Sequence, residues 1–217
     1  MLGTRLPLSY LILAVFASGC SLFSKAEKPV VQNPYTIIPG ALGEDYFHSP
    51  SGDIAGRYPK SWLQVDIRTI PMQNVLEVYT DEERERALVL AEIPATAEFR
   101  RSVERDGMAA LADESFAAKS DKQPEKLVIT RPDQIYTEKG KLVASYEYAE
   151  SQSDSLHRKE NRVVLFTTGS KFYELAMIEL VAPTDPNQHA QNFRLLESVV
   201  ASLEGVAEVR STDTTSF

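Results

Sequence analysis

Read as alternating apolar and polar positions, the chain separates into strand-like and helix-like stretches. Ile54–Tyr58 and Trp62–Ile67 have strand character and flank Pro59-Lys60-Ser61, where proline fixes φ for a turn. Val75–Tyr79 and Ala87–Ile93 follow, joined by the all-charged run Asp81-Glu82-Glu83-Arg84-Glu85-Arg86, which reads as a solvated hairpin connection. It lacks the glycine and oxygen spacing of a calcium loop. A helical period then takes over from Thr96, a candidate cap, to Lys119, with Phe99, Val103, Met108, Leu111 and Phe116 on the apolar side. Gly107 predicts a kink or break in its middle. Strand patterns return at Leu127–Thr130 running on to Tyr136, at Leu142–Tyr148, at Arg162–Thr167 and, after the short turn Thr168-Gly169-Ser170-Lys171, at Phe172–Leu180. A last helix is signalled by Asp185 at the N-cap, Pro186 at the first helical position and Gln188 three residues after the cap. Its buried stripe is Phe193, Leu196, Val200 and Leu203, and Gly205 falls where a terminating glycine belongs. The expected fold class is α+β: an antiparallel sheet of about six to seven strands, paired antiparallel throughout and sandwiched by helices.

The ends follow different rules. Arg5 precedes an apolar stretch, Leu6–Phe16, too short to span a bilayer as a stable helix, and Ala17-Ser18-Gly19 leads into Cys20. Residues 1–19 therefore read as a secretory signal peptide. The stretch Ala17-Ser18-Gly19-Cys20 resembles the bacterial lipobox, with Ala17 where leucine is usual. That resemblance implies diacylglycerol on the Cys20 sulfur, cleavage before it and N-acylation of the new amine, so palmitate-like chains anchor the protein. Ser21 in place of aspartate points, by the enteric sorting rule, to the outer membrane facing the periplasm. Residues 20–45, with Pro29, Pro34, Pro39, Gly40 and Gly43, are expected to form a flexible tether, 46–205 the folded domain and 206–217 a disordered polar tail.

Charge and chemistry narrow the function. The 217 residues carry 23 basic and 31 acidic side chains, for a net charge of -8. An acidic body without a basic block is unsuited to nucleic acid and is repelled by anionic headgroups, so attachment to the membrane falls to the lipid anchor. Cys20 is the single cysteine, which leaves no thiol in the body for catalysis or metal binding. No Gly-x-Ser-x-Gly elbow, phosphate-binding glycine loop or His-Glu-x-x-His pattern occurs. His48, His157 and His189 are scattered and expected at the surface. No metal, no cofactor beyond the anchor's lipid and no catalytic residue is expected.

Gly56-Arg57-Tyr58-Pro59-Lys60-Ser61-Trp62 resembles the opening hairpin of the PsbP-like superfamily. Phe172-Tyr173-Glu174, Pro183, Phe193 and Val199-Val200-Ala201-Ser202-Leu203 resemble its last strand and closing helix, so the similarity covers about 56–204. The resemblance implies an antiparallel sheet between helical layers and a class of non-enzymatic accessory proteins, among them extrinsic photosystem II subunits, a nuclear import factor and bacterial envelope proteins. The matching residues are structural, and Trp62 and Tyr58 are expected as buried anchors rather than an exposed aromatic contact. The function expected is a membrane-anchored, non-enzymatic interaction module for an envelope protein partner. The alternatives are a carrier of a small hydrophobic ligand and an envelope hydrolase.

Overall fold

The computed structural model describes residues 30–69, 74–122, 126–150, 158–169, 171–185 and 187–206. Among the described residues, ten strands and two long helices make a mixed α+β fold: β1 Val30–Val31, β2 Leu42–His48, β3 Ala55–Pro59, β4 Leu63–Gln64, β5 Val75–Thr80, β6 Arg86–Ile93, α1 Ala97–Ser120, β7 Leu127–Glu138, β8 Lys141–Glu150, β9 Glu160–Thr167, β10 Phe172–Glu179 and α2 Asn187–Ser202. Eight strands form one sheet in the order β1-β7-β8-β9-β10-β6-β5-β4, and β2 and β3 form a separate hairpin. The six central strands are those expected. β3 and the short β4 fall on two further stretches expected as strands, whereas β1 and β2 were not expected as strands. β1 also pairs with β7 in parallel, Val30 opposite Ile135 and Val31 opposite Tyr136, against the expected antiparallel pairing throughout.

The central strands read as nearly continuous apolar runs because each face of the sheet carries a helix. Along β9, Val163 and Leu165 face α1, where Met108, Leu111 and Ala112 meet Ala144, Tyr146 and Ala176. The alternate residues Val164 and Phe166 face α2, where Phe193, Leu196, Val199 and Val200 meet Val143, Tyr173 and Met177. Thr96 caps α1, its hydroxyl accepting from the Phe99 amide at 3.1 Å. At Gly107 the helix breaks, with φ 69° and ψ -154°, a backbone region that glycine almost alone can occupy. Asp185 caps α2 by accepting from the Asn187 amide at 2.9 Å. Gln188 does not reach back to close a capping box; its amide donates along the helix to Asn192 at 2.9 Å.

The β2–β3 hairpin lies on the far side of α2, so α2 is enclosed between hairpin and sheet. Gly56 lets it approach: a Cβ there would sit 2.7 Å from the Phe47 ring and 2.8 Å from Leu203. Gly205, at φ +83°, turns the chain beside Asp53, and a Cβ there would run into the Asp53 carbonyl. The expected hairpin joining Ile54–Tyr58 to Trp62–Ile67 does not form. β3 pairs with β2, and Ser61, at φ 66°, redirects the chain so that β4 joins the main sheet beside β5. β4 stops after two residues because the Asp66 carboxylate accepts from the Arg68 amide at 3.1 Å and side chain at 2.9 Å, starting a 3-10 turn over Ile67–Thr69. Residues 30–45, expected as tether, are packed on the body through β1, the start of β2 and side chains between them. The signal peptide, Cys20 and residues 207–217 of the expected tail lie outside the described residues; Val206 is buried in the core.

Candidate functional site

Most of the polar chemistry inside the molecule gathers beneath α2. Arg131, Glu147 and Arg162 stand side by side across β7, β8 and β9, since Glu147 is in register with both arginines. Arg162 has no exposed surface, and its donors are directed at oxygens. Nη1 donates to Glu147 at 2.8 Å, Nε and Nη2 to Glu197 of α2 at 3.0 and 2.8 Å, and Nη2 also to the Tyr136 hydroxyl at 3.3 Å. Tyr136 donates to Glu197 at 2.8 Å. Arg131, half-exposed, completes the row with an ion pair to Glu147 at 3.4 Å. Burial raises the Glu197 carboxyl above its ordinary range, against the pull of Arg162, Tyr136 and Asn33.

The lid of this cluster is the N-terminal segment 33–41, called here the strap. The Asn33 amide donates to Glu197 at 2.9 Å and to Glu138 at 3.2 Å. The Tyr35 hydroxyl donates to Glu147 at 2.9 Å while its ring lies 4.7 Å from the Arg162 guanidinium and edge-on to Phe193. Burial and the Glu147 charge push the Tyr35 phenol up to about 12. Ile38 donates its amide to Ser198 at 2.8 Å, and Arg194 donates to the Thr36 carbonyl at 3.1 Å. The strap is therefore fastened along its length.

The strap and the segments on either side of it expose apolar side chains. Val30 is 60% exposed, Val31 39%, Ile37 36% and Tyr46, in the adjoining hairpin, 42%. Beside it runs a groove of about 370 Å³ whose walls include Ile37, Leu42, Tyr46, Arg57, Lys139 and Ser202. Arg57 lies 4.7 Å over the Tyr46 ring and donates to its hydroxyl at 2.8 Å, so the groove is cationic on an acidic protein.

A second polar knot ties the hairpin loop to the β9–β10 turn. One Asp53 carboxylate accepts four hydroxyls: Ser49 and Ser51 at 2.6 Å, Tyr173 at 2.7 Å and Thr168 at 3.1 Å. Burial opposes its ionisation, but the four donors outweigh burial and hold it well below the usual carboxylate range.

Cys20 and the lipobox residues Ala17, Ser18 and Gly19 lie outside the described residues, as does His157. His48 is exposed on β2. His189 is not a bare surface residue: its Nδ1 meets the buried Glu179 carboxylate at 2.9 Å, which also accepts from Asn192 at 2.8 Å. Of the two described histidines, His48 stacks on Tyr46 and His189 pairs with Glu179. Trp62 is buried, with the Arg86 guanidinium 5.7 Å over its ring, and Tyr58 is half-buried, stacked on Tyr79 at 4.4 Å. Sequence reading did not find Arg162 or Glu147. The signal was there: Glu147 is the one charge within the run Leu142–Tyr148, and Arg162 the one charge within Arg162–Thr167. Among the described residues no group of three metal-ligating side chains converges, and no helix is long and apolar enough to cross a membrane.

No family model and no curated protein matches the chain. Among solved structures it is similar to the solution structure of cyanobacterial PsbP (CyanoP) from Synechocystis sp. PCC 6803, at 15% identity and TM-score 0.54, over 74% of this chain and 91% of that one. A crystal structure from Bacteroides thetaiotaomicron VPI-5482 aligns at 13% identity and TM-score 0.34, over 76% of this chain and 48% of that one, too low to support an argument. The large sheet, the helix on each face and the CyanoP likeness together establish that the chain has a PsbP-like fold.

Proposed function

We propose that this protein is a non-enzymatic interaction module, lipid-anchored through Cys20 and docked on an envelope protein through the strap and its neighbouring groove. The observation carrying the reading is the display of apolar side chains by a fastened segment. Val30, Val31, Ile37 and Tyr46 are exposed within the first described stretch, and the buried Arg162 cluster holds that stretch in place. A preordered apolar surface binds without the cost of ordering a loose segment. The nine residues between Cys20 and Val30 can extend on the order of 30 Å, so the surface would stay close to the bilayer carrying the anchor. The periplasmic face of the outer membrane fits the serine at position 21.

The test is photo-cross-linking in intact cells with a reactive residue at Tyr46 or Ile37, and at Asp113 on α1 as the control. A single adduct specific to the first two positions, with partner and protein recovered in near-equal amounts, supports the reading. Equal labelling from Asp113, or recovery of the protein alone from all three positions, overturns it.

A further inference from the structure

On the other face of the sheet, where α1 breaks, the structure contains a cavity of about 340 Å³, within the size range of small-molecule sites. We propose that it binds a single-chain amphiphile with one anionic head, a medium-chain carboxylate being the simplest member. Val103 before the break and Met108 after it, with Ile135, Leu142 and Phe172 of the sheet, give the cavity apolar walls suited to an alkyl chain. A continuous helix would carry side chains across this space; instead Gly107 takes a conformation that costs other residues about 1–3 kcal/mol. Glycine adopts this conformation without strain, so the break stands open beside the cavity.

The mouth selects the head. Arg100 stands there with its guanidinium 5.6 Å over the Phe172 ring, at the junction between apolar wall and solvent, and Thr167 supplies a hydroxyl. A guanidinium is weakly hydrated and fits a carboxylate in plane, so it can receive the head of a chain lying on Phe172. Glu104, one helical turn on, limits the mouth to a single negative charge. Val30 lines the cavity and is also one of the exposed apolar residues of the docking surface, but the cavity and the groove share no lining residue, so substitutions at Val103, Leu142 and Arg100 leave the docking residues unchanged.

The experiment is methyl NMR of the full chain in lipid nanodiscs, with ¹³C-methyl methionine. Met108 lines the cavity, whereas Met177 is buried on the opposite face and reports on folding. Titrated decanoate is expected to move the Met108 methyl to saturation and leave Met177 in place. Leu142→Trp and, as a smaller filling change, Val103→Phe are expected to abolish the response with the Met177 signal unchanged. Arg100→Gln is expected to weaken decanoate about tenfold and decanol hardly at all. The proposal is overturned if Met108 fails to saturate at millimolar decanoate. It is also overturned if both filled variants keep the response, or if decylamine binds as tightly as decanoate.

Discussion

Arg162 is the residue whose removal tests the physical account of the strap most directly. Arg162→Met keeps the stem and deletes the guanidinium. Glu197, with no exposed surface, and Glu147, 5% exposed, then remain buried without their central cation. Removing one partner of a buried pair costs about 3–5 kcal/mol, because the loss is the stranded charge rather than the attraction alone. For a domain of this size that corresponds to a fall in Tm of roughly 6–20 °C. The sign with pH follows. Without the guanidinium, burial holds the Glu197 carboxyl above its unfolded value with less to oppose it, so the penalty is present above the folded value. It fades as pH falls and vanishes below the unfolded value near 4.3. The assay is urea unfolding followed by circular dichroism at pH 7 and pH 4.5, with hydrogen exchange over residues 30–38. Neutralising the stranded acids as well, by Arg162→Met with Glu147→Gln and Glu197→Gln, is expected to restore at least half of the loss. A single variant within about 1 kcal/mol of the parent, or a triple variant as unstable as the single, would refute the reasoning.

Three further outcomes can be checked alongside it. Asp53→Asn is expected to cost about 1–3 kcal/mol at pH 7, since four hydroxyls lose an ionised acceptor. Because the folded carboxyl titrates below its unfolded value, that stability is present above about pH 4 and lost as pH falls further, so acid titration of the variant must be shallower than the parent's. Gly107→Ala, which in an ordinary helix interior adds up to about 1 kcal/mol, is expected here to subtract about 1–3 in thermal unfolding; a gain would mean the break is not intrinsic to the fold. Cys20→Ala is expected to move the protein from the membrane pellet to the soluble fraction on cell fractionation, and retention in the pellet would dismiss the lipid anchor.

The central sheet and both helices were legible because local signals and tertiary burial agree there. β8, β9 and β10 sit between two helices, so their apolar runs are long. Thr96 and Asp185 mark helix starts by side-chain chemistry that acts within three residues. The strap was not legible for the opposite reason. Its prolines and glycines read as linker, and what fixes it are contacts from Asn33 to Glu197 and from Tyr35 to Glu147, 164 and 112 residues away. The alternation at Trp62–Ile67 promised a full strand, but Asp66 captures Arg68 locally and turns the chain before the ladder can continue. Neither cavity nor groove leaves a linear mark, since both arise where distant elements meet. The Asp53 knot is similarly hidden, built from two serines nearby and two hydroxyls more than a hundred positions later.

The strap also decides how the molecule would carry a load. In a chain held at its N-terminus, tension enters at Val30 and runs along β1, which has only two residues of pairing with β7. Such a short ladder is a poor brake. The force passes on to Asn33 and Tyr35, whose grip is a set of charge-assisted bonds shielded from water by Phe193 and the strap itself. Under pulling, the first event is then release of the strap as a unit while sheet and helices stay folded. In a single-molecule stretching trace, that release would be a small early step well before global unfolding.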